Sequence, residues 1–189
     1  MSFLEIMFCD SIYHSTISNE KIKKQLLKVV YDLEKNVESN KQTNEGGYQK
    51  DLNCRDLFSD LISEEIHKYE RLLNLNKKLK LDNLWCNINY KNSYNVSHVH
   101  PGVHFSGVYY LETPKNCGKL IFTNPNTFVR MHSEMEEASE HPNFKPHFCI
   151  EPVENLLSIF PSYLLHEVDM NSSNKKRTSQ QLAKENAVE

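Results

Sequence analysis

The sequence lacks a CxxC pair, an apolar run long enough to cross a bilayer, and an excess of basic charge. Each absence closes a class of explanation. The five cysteines, Cys9, Cys54, Cys86, Cys117 and Cys149, are odd in number and scattered, and read as free thiols in a reducing compartment. No apolar run approaches the roughly 20 residues that span a bilayer. The first ten residues carry acids inside a short apolar run and no basic region, which does not make a signal peptide. The expected location is therefore cytoplasmic, with no membrane partner. A formal net charge of -3 and a pI near 6.3 give no electrostatic footprint for nucleic acid. There is no internal repeat.

What is present suits one domain with a proper core: 189 residues, 39% hydrophobic and 25% charged. Phe3 to Phe8 reads as a short strand. Ser18 reads as an N-cap with Glu20 in the first turn, and Ile22, Leu26, Val29, Val30, Leu33 and Val37 recur at helical spacing, predicting a helix over 19–38. After a polar loop holding Gly46-Gly47, a second apolar stripe from Leu57 to Leu73 predicts a helix from Arg55 to Leu79, with the Lys77–Lys80 run as its solvated end. From residue 82 the texture changes to short β-type runs: 85–90, 105–111, 119–123, 147–150, 156–160 and 164–168, punctuated by Gly, Pro and Asn. Two helices followed by a strand-rich block predict an α+β architecture, with helices covering one face of an antiparallel sheet system. The acidic stretch from Asn126 to Lys145, holding Glu134, Glu136, Glu137 and Glu140, reads as an active-site rim or a solvated insertion.

The chemistry concentrates in Ser97-His98-Val99-His100-Pro101. Residues i and i+2 of a strand share a side, so an extended segment aims His98 and His100 at one spot. His166 stands far downstream, behind another apolar run. Imidazole is the commonest side-chain metal ligand near neutral pH, and three of them leave other coordination positions open, as catalysis requires. Iron enzymes that activate oxygen use two His and one carboxylate; here the residue two after His98 is His100, so zinc or another first-row metal also suits the set. His104 follows Pro101-Gly102, which breaks the register, and reads as a rim residue. His132, His141 and His147 sit in or beside the acidic stretch with no partner pattern.

Several stretches together resemble the Fe(II)/2-oxoglutarate-dependent oxygenase superfamily, in particular its small bacterial and phage, prolyl-hydroxylase-like group. They are Gly46-Gly47-Tyr48-Gln49, Trp85-Cys86-Asn87-Ile88-Asn89, His98-Val99-His100-Pro101, the run from Ser106 to Leu111, the run from Gly118 to Pro125, and the run from Phe160 to Val168. The resemblance covers nearly the whole chain as a single domain over 1–189. It implies a double-stranded β-helix, or jelly roll, over 82–180, with residues 1–80 as mainly helical support: two long N-terminal helices packed on one sheet. It implies Fe(II) and 2-oxoglutarate as cofactors. His98 and His166 would be iron ligands, with His100 where the carboxylate ligand is expected and no catalytic residue beyond the ligands. Arg177, eleven residues after His166, would hold the distal carboxylate of the keto acid, helped by the Tyr110 hydroxyl, with Asn87 lining the pocket. The implied reaction couples oxidative decarboxylation of 2-oxoglutarate to hydroxylation of a C–H bond in a substrate, a protein, peptide or small molecule, that the sequence does not name.

One departure stands out. Relatives continue past the basic residue with an alternating strand, whereas Thr178 to Glu189 reads as polar and helix-prone, predicting a shortened final strand and a weakened keto-acid site. Two other readings compete. A cupin-type metalloprotein shares the barrel and the HxH, although His104 stands where cupins carry Glu. A non-enzymatic β-sandwich would use Trp85, Tyr90, Tyr94, Tyr109 and Tyr110 as a binding face.

Overall fold

Strand alternation separates two apolar cores in the computed structural model, which describes residues 10–40, 42–131, 137 and 141–186. A six-stranded sheet runs in the order β1 (Tyr13–Thr16), β9 (Leu156–Pro161), β6 (Phe105–Glu112), β11 (Arg177–Asn186), β4 (Leu79–Asn89), β3 (Tyr48–Asp51). A five-stranded sheet runs β2 (Asn44–Glu45), β5 (Tyr94–His98), β10 (His166–Val168), β7 (Leu120–Thr123), β8 (His147–Ile150). Every pairing is antiparallel. The architecture is a jelly roll of two antiparallel sheets with two long helices.

Strand β6 shows how the cores arise. Tyr109 and Leu111 join Leu26 and Val30 of helix α1 (Glu20–Asn36), Phe58 and Ile62 of helix α2 (Arg55–Leu72), and Leu157 and Ile159 of β9. Val108 and Tyr110, pointing the other way, join Phe160 and the residues Leu120, Phe122, Ile150 and Val168 of the smaller sheet. A strand buried on both faces reads as a continuous apolar run, as Val108 to Leu111 does.

Local signals moved some boundaries. Asn19, not Ser18, caps α1: its Oδ1 accepts from the Ile22 N–H at 3.1 Å. Helix α2 stops at Leu72 rather than Leu79, because Asn74 takes a left-handed φ of 51° and ends the helical path. The chain then turns, and the Leu79 N–H donates to the Glu70 carboxylate at 2.7 Å as β4 begins. Lys80 thus lies on a strand, not at a helix end. The short β1 is absent from the sequence reading, since Tyr-His-Ser-Thr carries too few residues to show a period. The expected strand at 3–8, and His132, Glu134, Glu136 and Glu140 of the acidic stretch, lie outside the described residues.

The largest correction concerns the C-terminus. Arg177–Asn186 is a ten-residue strand inserted between β6 and β4, paired from Arg177 opposite Asn89 to Asn186 opposite Leu79. It is neither shortened nor helical. Position in the sheet overrides the helical propensity of its residues, and its polar side chains Ser179 and Gln180 are buried.

Candidate functional site

A bulge decides where His98 points. On β10, His166 and Val168 are two residues apart, yet they pair with His98 and Asn95, three apart on β5. The extra residue lets Asn95 and His98 both face inward, which unbroken alternation forbids. Tyr94 and Val96 face solvent instead. His100 lies past the end of β5, so the strand does not itself carry it. The His100 N–H donates to the Ser162 carbonyl at 3.0 Å, and this fixes the loop. The ring of His100 still comes to 4.9 Å from His98, and His166 stands 4.4 Å and 5.0 Å from the two. One ligand nitrogen from each of the three lies within 4.8 Å of the others.

Hydrogen bonding selects which nitrogen is free. His98 Nδ1 contacts the Val96 carbonyl at 2.6 Å and His166 Nδ1 contacts the Leu164 carbonyl at 2.8 Å. A carbonyl only accepts, so Nδ1 carries the proton in both rings and Nε2 keeps its lone pair. His98 Nε2 is buried and has no protein partner. Burial holds all three imidazoles below the usual histidine range: His98 lowered, His100 to about 4, and His166 to about 3 with further push from His98 and His100. All three are neutral near pH 7, the state that binds a metal. The donor set fits a first-row divalent ion with open positions.

At the other end of the cavity is Arg177, 1% exposed. Its Nη2 donates to Asn89 Oδ1 at 2.9 Å, its Nη1 to the Gly118 carbonyl at 3.3 Å, and its Nε has no protein partner. Gly118 has a φ of +87°, and a Cβ there would sit 2.2 Å from the Asp169 carbonyl oxygen, so only glycine presents its carbonyl to Arg177 this way. None of the ion pairs among the described residues includes Arg177. Burial lowers its pKa, but a guanidinium remains charged at neutral pH. A buried cation without a carboxylate is costly, and a ligand carboxylate taken bidentately would offset that cost.

Between the two ends, Ser179 pairs with Asn87 on one side and Tyr110 on the other, so the three share a face. Both amide atoms of Asn87 and the Ser179 hydroxyl are buried without protein partners. Burial raises the Tyr110 hydroxyl to about 12 despite the opposing pull of Arg177, so it stays protonated and able to donate. Gln181, Val108 and Phe160 complete the walls, and the Trp85 ring packs 5.3 Å from His100. The structure therefore brings His98, His100, His166, Arg177 and Tyr110 to one cavity, with Asn87 beside it through Ser179. His104 is exposed and outside the cluster, as its rim assignment expects. Ser179 and Gln181 escaped the sequence reading. They follow Arg177 at i+2 and i+4, but Thr178, Gln180 and Leu182 are buried on the opposite face, which erases the alternation.

Comparison with known proteins places this geometry. A sequence family described as "Putative 2OG-Fe(II) oxygenase" matches residues 83–182. No curated protein matches the sequence. Among solved structures, the chain is similar to a Pseudomonas putida prolyl-4-hydroxylase, at 13% identity and TM-score 0.66, covering 95% of this chain and 94% of that one. It is similar to a Trichoplax adhaerens prolyl hydroxylase solved with a hypoxia inducible factor peptide fragment, at 15% identity and TM-score 0.63, covering 93% and 83%. HygX from Streptomyces hygroscopicus, solved with nickel and 2-oxoglutarate, is similar at 11% identity and TM-score 0.60, covering 94% and 84%. At such identities these three share the fold; the family match spans more than half of the chain. This protein belongs to the 2-oxoglutarate- and Fe(II)-dependent oxygenases.

Proposed function

We propose that the chain is a non-haem iron dioxygenase in which His98, His100 and His166 hold the metal and Arg177 anchors the distal carboxylate of 2-oxoglutarate. With iron and the keto acid bound, the site would use one molecule of dioxygen, one oxygen atom entering succinate as the keto acid loses carbon dioxide and the other replacing the hydrogen of a substrate C–H bond as hydroxyl. The observation that carries this reading is the buried, uncompensated Arg177 sharing one cavity with three neutral imidazoles. The guanidinium fixes one end of the keto acid, and the Tyr110 hydroxyl donates to the same carboxylate. Asn87 and Ser179 offer unused polar groups along the way, and Val108 and Phe160 exclude water. A cupin without keto-acid chemistry needs no such cation.

Three neutral ligands leave the metal one negative charge short of the two-His, one-carboxylate arrangement. The keto-acid carboxylate that is not paired with Arg177 would make up that one charge, so metal retention in this chain depends on 2-oxoglutarate more than it does with a carboxylate ligand. In this reading residues 1–189 act as one oxygenase domain, a double-stranded β-helix braced by α1 and α2 through their shared core. The free thiols Cys54, Cys86, Cys117 and Cys149 suit a reducing cytoplasm. The substrate would be a protein, a peptide or a small molecule, in keeping with neighbours that include prolyl hydroxylases. The test is Fe(II)-dependent formation of succinate from 2-oxoglutarate by the purified chain. Turnover lost on chelation and in His98→Ala is expected; turnover indifferent to both would overturn the reading.

A further inference from the structure

Arg177 is surrounded by neutral groups, among them the Tyr110 hydroxyl, the Cys117 thiol and the Gly118 carbonyl, and a directed chain of amides runs outward from it. Arg177 Nη2 donates to Asn89 Oδ1 at 2.9 Å, Asn89 Nδ2 to Asn95 Oδ1 at 3.1 Å, and Asn95 Nδ2 to Thr43 Oγ1 at 3.3 Å. A guanidinium has only donors. It therefore fixes the carbonyl of Asn89 toward itself, which fixes the Asn89 amino group toward Asn95, and so on outward. Asn89 and Asn95 are 0% and 1% exposed. Asn44 Nδ2 reaches the same Asn89 Oδ1 at 3.5 Å, and Asn171 Nδ2 holds the Asn89 backbone carbonyl at 2.8 Å.

Two consequences follow from this wiring. The chain crosses from β4 and β11 of one sheet to β5 of the other, three residues before His98 and next to the bulge that turns His98 inward. It also satisfies one Arg177 nitrogen without neutralising the guanidinium. An aspartate in place of Asn89 is nearly the same size but would supply an internal counter-ion, and the charge would no longer call for a ligand.

We propose that Asn89 and Asn95 are positioning residues: they keep Arg177 an uncompensated cation and tie it across the sheets to the strand of His98, so that the deep end of the cavity selects a keto acid bearing a distal carboxylate. This rests on Arg177 being the carboxylate anchor. Asn89 orients the guanidinium directly; Asn95 holds Asn89 in its required orientation and sets the span to the metal end.

The test uses the full chain loaded with Mn(II), a redox-silent stand-in for iron, titrated calorimetrically with 2-oxoglutarate and with 2-oxobutyrate, which lacks the distal carboxylate. Asn89→Asp is expected to weaken 2-oxoglutarate binding by about tenfold or more, leaving 2-oxobutyrate and Mn(II) binding within about twofold of wild type. The discrimination between the two keto acids then collapses, which general damage to the fold does not produce. Unchanged 2-oxoglutarate affinity, or an equal loss for both keto acids, would overturn the proposal. Should Asn89→Asp not fold, Asn95→Ala decides: a loss of about three- to tenfold for 2-oxoglutarate alone supports it, and no loss overturns it. If Arg177→Met binds 2-oxoglutarate as wild type does, the reading of the anchor itself fails, and the proposal with it.

Discussion

The two faces of strand β11 make different use of buried polar groups. Toward the helices, Thr178 donates to the Glu112 carboxylate at 3.0 Å, and the Tyr31 hydroxyl bonds the same carboxylate. Lys176, just before the strand, pairs with Glu34 of α1 at 2.7 Å. Toward the cavity, the Arg177 Nε and the Ser179 hydroxyl have no protein partner, nor have Asn87 across the strand pair and the Trp85 indole. Buried polar groups are normally satisfied. Several such orphans lie on the side of β11 that carries the cavity of the three neutral imidazoles, the arrangement that the proposed keto-acid site calls for. The helix side has orphans of its own: the Gln180 amide is unpartnered beside Cys86 and Tyr109, as are the hydroxyls of Tyr48 and Tyr69 in the same core.

The widest separation of the two faces comes from His166→Ala. Removing one of three ligands should cut succinate formation by about 100-fold or more, with the melting temperature of the metal-free chain little changed; retained turnover would break the contrast. On the helix side, Leu157→Ala removes a side chain with no exposed area. It should cost about 3–4 kcal/mol of stability in denaturant unfolding, while the dissociation constant for 2-oxoglutarate in the folded fraction stays put. A matching loss of affinity would show that the two faces are not separable.

Arg177→Met sharpens the comparison further, because its two effects oppose each other. Keto-acid affinity should fall by about 2–3 kcal/mol in calorimetry, yet the ligand-free protein should be as stable as wild type or more so, since a buried unpaired charge has gone. A clear loss of stability would mean that the cation is structural. The smallest effect belongs to Gln180→Leu. Replacing this one helix-side orphan by an apolar group should raise stability by about 1 kcal/mol and leave 2-oxoglutarate turnover unchanged.

The grouping of the candidate residues was more legible in the sequence than the scaffold that holds them. His98, His100, His166, Arg177 and Tyr110 were legible because their residue types at those spacings resemble a known arrangement, and the cavity collects all five. The strand carrying Arg177 was not legible. Its local composition favours a helix, and only pairing with β4 and β6 on both sides makes it a strand. The β5 bulge was equally hidden, since nothing between Asn95 and His98 announces an extra residue until β10 pairs beside it. Asn89 lies in the run from Trp85 to Asn89, but its proposed role follows from the donor-only chemistry of Arg177 rather than from any pattern in the sequence.

The most direct test of the account is anomalous scattering at the iron edge from crystals grown anaerobically with Fe(II) and 2-oxoglutarate. One iron is expected about 2.0–2.2 Å from a ring nitrogen of each of His98, His100 and His166, with the distal carboxylate of the keto acid paired to Arg177. Iron bound elsewhere, or a keto acid whose distal carboxylate leaves Arg177 unpaired, would contradict it.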